Sequence, residues 1–197
     1  DTQHESVKQA AGADRIVMTK SDLVGADKIS DLEDRLRRIN PGAPIHRAVM
    51  GALHPNALFD AGLYDPRTKS LDVQRWLREE AYLDRDDHHH HDVNRHDDRI
   101  RAHCLVLDSP LPWEVFVTWI QTLIAVNGED LLRIKGIVDI VDQEGPIAVH
   151  GVQHLFHDPV RLPDWPDDDR RSRIVFITRS IEREVIQKSL ERLLGDR

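Results

Sequence analysis

Cysteine is almost absent from this sequence: Cys104 is the only one among 197 residues. That excludes an internal disulfide framework and any zinc site built from clustered cysteines. Long apolar runs are missing as well. The most apolar stretches, around residues 113–126 and 134–141, are interrupted by polar side chains and fall short of the roughly 18 residues that a membrane span needs. The opening residues do not show the apolar core of a secretory signal. These absences lead to the expectation of a cytoplasmic protein with no membrane partner. Basic excess is also lacking, since the formal net charge is −8. Nucleic-acid binding usually needs a basic face, so no nucleic-acid partner is expected, whereas cations would be mildly attracted. What is present is 40% hydrophobic residues, enough for one large or two small domains with a real core.

The order of elements splits the chain. Residues 1–13 read as the end of a helix, and residues 15–19 as a short buried strand. Ile29, Leu32, Leu36 and Ile39 fall at helical spacing over residues 26–39, and Asn40-Pro41-Gly42 ends that helix. A strand over residues 44–49 completes a βαβ unit, which implies a parallel sheet. Residues 51–68 read as loop, and 70–80 as a short helix with Val73, Trp76 and Leu77 on one face. Residues 84–99 then hold six aspartates, five histidines, three arginines and one aliphatic residue, Val93. Such a segment cannot bury enough to fold alone and is expected to be a flexible linker. Beyond it come a strand at 100–107, a helix opened by Pro112, strands at 131–141 and 146–156 joined by a turn at 142–145, a charged loop, a strand at 173–178 and a last helix. Ser180 is expected to cap that helix, with Ile181, Val185, Leu190 and Leu194 as its inner stripe. The expectation is an α/β chain: a parallel-sheet unit over 1–83, a linker over 84–99, and a small α+β domain (β-α-β-β-β-α) over 100–197, with its helices on one sheet face.

Thr19-Lys20-Ser21-Asp22 follows the first predicted strand directly. The pattern Asn/Thr-Lys-x-Asp at that place reads guanine. The Asp22 carboxylate can accept two hydrogen bonds, from N1–H and from the exocyclic amine. Adenine has no such donor pair and would leave a carboxylate unpaired. Lys20 can lay its apolar stem over the base, and Thr19 can tie the loop to its neighbours. Strand ends of parallel sheets are where α/β proteins bind ligands. Four residues also arise by chance, and a surface turn is the competing reading.

ADRIVMTKSDLV at 13–24 resembles the strand and base-recognition loop of CobW-like GTPases. INPGAPIHRAVMG at 39–51 is similar to the family's next helix end and strand, and HPNALFDAGLYD at 54–65 to the segment that closes its GTPase domain. RIKGIVDI at 133–140, HGVQHLFHDP at 150–159 and SRIVFITR at 172–179 resemble the CobW C-terminal domain. The resemblance implies a P-loop GTPase domain joined to a small α/β domain. It implies a protein that uses GTP and Mg²⁺ to deliver a metal, such as zinc or cobalt, to a client enzyme or cofactor pathway, cobalamin synthesis being one. Two family features do not occur in these 197 residues: the phosphate loop G-x-x-x-x-G-K-S/T and the metal motif C-x-C-C. The chain is therefore expected to be the C-terminal portion of such a protein, starting at the end of an incomplete P-loop GTPase domain. By itself it is expected not to hydrolyse GTP. The alternative function is a non-catalytic module that docks a client or another subunit. The client, the metal and the oligomeric state are left open.

The histidines are the second chemical feature. His88, His89, His90, His91 and His96, among the aspartates of residues 84–99, suit Zn²⁺ or Co²⁺. A flexible segment would bind weakly and adaptably, and the competing reading is a solvated spacer. His150, His154 and His157 fall in one predicted strand, where alternation puts His150 and His154 on one face. A two-histidine site there competes with the more ordinary role of hydrogen-bonded structural groups. Cys104 reads as a small core residue, and Trp76, Trp113 and Trp119 as packing residues. Arg133, Lys135 and Arg173 form a modest basic patch or a solvated sheet face.

Overall fold

The computed structural model describes residues 2–59 and 99–195. The chain enters through helix α1 (Thr2–Gly12) and passes into β1 (Ile16–Thr19). Helix α2 (Ala26–Ile39) carries Asp27 in its first turn and Arg37 and Arg38 in its last, each matched to the helix dipole. The Asn40 N–H closes the final turn on the Leu36 carbonyl at 2.9 Å, and Pro41 cannot extend it. Strand β2 (Ile45–Ala48) then pairs parallel with β1, Ile16 opposite Ile45 and Thr19 opposite Ala48. A short helix α3 (Asn56–Phe59) follows. The βαβ unit expected from the sequence is present.

The second part is a six-stranded antiparallel sheet in the order β3-β8-β4-β5-β6, with β7 against β5. Its strands are β3 (Ile100–Leu107), β4 (Leu131–Val138), β5 (Ile147–Val152), β6 (Leu155–Phe156), β7 (Val160–Arg161) and β8 (Ser172–Arg179). Helices α4 (Trp113–Asn127) and α5 (Arg183–Gly195) cover one face. Phe116, Trp119, Ile120 and Leu123 pack there on Ile134, Val149, Ile174 and Phe176. The Trp119 ring meets Phe176 edge-on at 5.7 Å, and its Nε1–H donates to the Ser189 hydroxyl at 2.7 Å. At Gly136 the strands β4 and β8 run so close that a Cβ would lie 2.9 Å from the Arg173 carbonyl.

Several expectations need correction. The sheet is covered on both faces, since Ala11 of α1 and Ile39 of α2 pack on Ile100, Leu132 and Ile177. That explains why β4 and β8 are buried almost throughout instead of alternating. Leu32 is 44% exposed although it fits the helical spacing. Glu33 takes the inward position of α2 instead, because the Arg47 and Arg37 guanidinium groups hold its carboxylate there. The strand expected over 146–156 is two: Gln153, in the left-handed region at φ 53°, and His154 turn the chain back, so that Val152 pairs with Leu155. β4 ends at Val138, not at 141, because Ile140 leaves it to bridge to Leu111. In α5, Ile186 is buried at 1% and Val185 lies 53% exposed. That helix begins at Arg183, and Ser180 sits before it in the left-handed region at φ 58°, its N–H on the Arg99 carbonyl at 2.7 Å. Trp119 is core as expected, whereas Trp113 is 41% exposed. Trp76 and the helix expected over 70–80 lie outside the described residues.

Candidate nucleotide-recognition loop and the junction behind it

β1 delivers Thr19 to the C-terminal edge of the two-stranded parallel sheet. Met18, one residue back, is buried and anchors the strand. Lys20 then adopts a left-handed conformation, φ 58° and ψ 25°, and a single 3-10 turn spans Ser21–Leu23. A lysine in that region costs of order 1 kcal/mol, so the reversal after Thr19 is imposed by the surrounding structure. The Leu23 N–H on the Lys20 carbonyl, 3.1 Å, locks the turn. Thr19, Lys20 and Asp22 are all exposed at this strand end. The structure thus brings all three onto one loop, in the position where a parallel sheet meets its ligand.

A neighbouring turn was not singled out from the sequence. β2 ends opposite Thr19, and the chain reverses through Met50 at φ 51° and Gly51 at φ 78°, with the Ala52 N–H on the Val49 carbonyl at 2.9 Å. Gly51 is the readable signal, because glycine adopts that conformation without strain. Met50 is 94% exposed, and Leu23, Val24 and Val49 are exposed too. Two tight turns flanked by apolar side chains therefore sit side by side at the strand ends. An apolar rim beside an exposed carboxylate is an arrangement that a planar, hydrogen-bonding ring can fit.

Behind the loop lies a second polar cluster, at the junction of α1 and β1. The last carbonyls of α1 have no partner within the helix. Asn40 Nδ2 donates to Ala10 at 3.0 Å, to Ala11 at 3.1 Å and to Ala13 at 2.8 Å. Arg133, on β4 of the second sheet, donates from Nη1 to the Gly12 carbonyl and from Nη2 to the Asp14 carboxylate. Lys135 Nζ adds a contact to the same carboxylate at 3.3 Å. Burial raises the Asp14 carboxyl, but Arg133 and Lys135 outweigh burial and hold it below its ordinary value. Arg133 and Arg173 are therefore neither a basic patch nor a solvated face. Arg133 is 4% exposed and ion-paired, and Arg173 is clamped by Asp167 at 2.7 Å.

The histidines separate differently from the expectation. His150 meets His157 across the turn, ring centroids 5.3 Å apart, and the His157 N–H binds the His150 carbonyl at 2.9 Å; His154 sits in the turn itself. Burial, and then the charge of Arg133, push His150 down to about 4. It stays neutral, but Arg133 and Lys135 beside it disfavour a bound cation. Among the described residues no three His, Cys, Asp or Glu side chains come together as a metal group. His88, His89, His90, His91 and His96 lie outside the described residues. Cys104 is buried in the sheet core, as expected. No helix among the described residues is long and apolar enough to cross a membrane.

Comparison with known proteins bears on these features. The zinc chaperone YjiA of Escherichia coli (strain K12) is 27% identical over 179 residues, which is 91% of this chain and 51% of that protein. A crystal structure of Zn(II)-bound YjiA GTPase from E. coli superposes with a TM-score of 0.65 at 25% identity, covering 98% of this chain and 56% of that one. A Zn(II)-bound triple mutant of YjiA GTPase gives 0.64 at 25% identity, covering 95% of this chain and 54% of that one. The chain thus spans about half the length of the relatives it matches. Residues 100–194 match the family described as cobalamin synthesis protein cobW C-terminal domain. Residues 100–194 thus resemble the cobW C-terminal domain, and the chain as a whole is similar in sequence and in fold to the YjiA GTPase.

Proposed function

We propose that this chain is the C-terminal part of a GTP-dependent metallochaperone. On this reading residues 1–83 end its GTPase domain, 84–99 link, and 100–197 form the C-terminal domain. The observation that carries the reading is Thr19-Lys20-Ser21-Asp22 exposed at the end of a parallel strand and followed by a cobW C-terminal domain. Asp22 reads guanine, Lys20 covers the base, and Thr19 braces the loop. The exposed strand end and its apolar rim fit a purine. The phosphates and Mg²⁺ need a glycine-rich loop and a hydroxyl that these residues do not supply, so no step of hydrolysis is assigned to them. The metal cargo is zinc or cobalt, with zinc favoured by the zinc-chaperone relative, and the destination is a metal-requiring client in the cytoplasm.

The test is nucleotide selection by the intact protein. Guanine nucleotides should bind and be hydrolysed in preference to adenine nucleotides, and equal affinity for GTP and ATP would overturn the reading. For the 197 residues alone a second reading is favoured by one observation, the absence of G-x-x-x-x-G-K-S/T from them: a non-catalytic module that docks a client or a subunit. Phosphate release by the isolated chain above a no-protein control would exclude it.

A further inference from the structure

Arg133 is the residue through which the second sheet grips the turn that leads into β1. A β-bulge between Leu131 and Arg133 shifts the register of β4 against β8. Leu131 therefore stays with the α4 and α5 core, while Arg133 and Lys135 both face Asp14. The Arg133 fork holds two successive points of one backbone turn, the Gly12 carbonyl and the Asp14 side chain. Asn40, at the end of α2, fixes the carbonyls on either side. Every carbonyl from Ala10 to Ala13 is thus bonded from outside α1. Asp14 and Arg15 form a bend before the four residues of β1, so a clamp at Asp14 reaches the loop through about 13 Å of strand.

We propose that Arg133, with Asp14, is a positioning residue for guanine binding, so that nucleotide occupancy at the Thr19–Asp22 loop and the state of the C-terminal sheet are coupled through this clamp. The inference rests on the guanine reading above. Coupling is reciprocal: whatever binds or strains the C-terminal sheet changes nucleotide affinity, and nucleotide stiffens β4 in return. The clamp is one contiguous physical link, so breaking it at either partner has the same effect.

The experiment measures the affinity of the intact protein for GDP carrying a fluorescent N-methylanthraniloyl group. Arg133→Met and Asp14→Asn should each weaken binding about fivefold or more, and the double variant should be no worse than either single one. Asp22→Asn is measured alongside. If Asp22→Asn loses GDP while folded Arg133→Met and Asp14→Asn keep parental affinity, the coupling is refuted and the guanine reading stands. If Asp22→Asn leaves GDP affinity unchanged, the guanine reading fails and the coupling fails with it. A residue that serves stability alone would lower the melting temperature and leave the GDP affinity of the folded protein untouched. Should the variants not fold, amide exchange of the unmutated protein decides. GDP should slow exchange across residues 131–138, and unchanged exchange there refutes the coupling.

Discussion

His150 and Asp14 lie in one electrostatic cluster with Arg133, Lys135 and His157, and both are held below their ordinary values. The unfolded chain protonates a histidine near 6.5, whereas folded His150 resists until about 4. Between those values the unfolded state takes up a proton that the folded state does not. Stability is therefore complete above about pH 6.5 and falls as pH drops toward 4, by at most about 3 kcal/mol. Asp14 is held below its ordinary value, so its contribution is present above roughly pH 4 and is lost only below that, outside the histidine window. Denaturant titrations from pH 7 to 4.5 should show this slope, and His150→Gln should flatten it; an unchanged slope would mean that His150 is open to solvent. Asn40 tests the same junction without charge. It is buried and donates to three carbonyls, so Asn40→Ala should cost about 1–3 kcal/mol in equilibrium unfolding. None of this was legible in the sequence, where Arg133 and Lys135 looked like ordinary strand cations. Only the bulge and the packing of α1 set them against Asp14.

Elements were more legible than the faces they bury. The bounds of α2 follow from its periodicity and from Asn40-Pro41-Gly42, and the structure reproduces them at Ala26–Ile39. Its inner stripe was misread at Leu32, because an inward Glu33 paired with Arg47 on another strand cannot be seen in a local pattern. The same limit applies to α5, where Val185 and Ile186 are interchangeable by composition and only the direction of the sheet decides between them. Ile186→Ala should cost about 2–5 kcal/mol by thermal or denaturant unfolding, and Val185→Ala no more than about 0.5. Similar losses at both positions would mean that the helix is rotated from this placement. The turn at Gln153-His154 escaped notice because it carries neither glycine nor proline. Residues 84–99 remain a matter of composition. Five histidines and six carboxylates there should bind Zn²⁺ or Co²⁺ weakly, with affinity fading as pH falls through about 6.5. Calorimetric titration of the chain against a variant with His88, His89, His90 and His91 changed to Ser should show most of the heat lost. Equal zinc binding by both would make the run a spacer.

At the scale of the molecule, the two parts of the chain meet along one face of the antiparallel sheet. The sequence announced a βαβ unit and a small α+β unit, but it did not announce that the first covers the second. That contact sets the turn between α1 and β1 against β4, so the strand that ends in the Thr19–Asp22 loop starts from the C-terminal sheet. The central claim is that Asp22 at the end of β1 reads guanine. The measurement that tests it most directly is competition between GDP and xanthosine diphosphate for the intact protein and its Asp22→Asn variant. An amide offers a donor where the carboxylate accepted, so the variant should lose GDP by about a hundredfold or more and gain xanthosine diphosphate. Unchanged GDP affinity, with no gain for xanthosine diphosphate, would contradict the assignment of this loop.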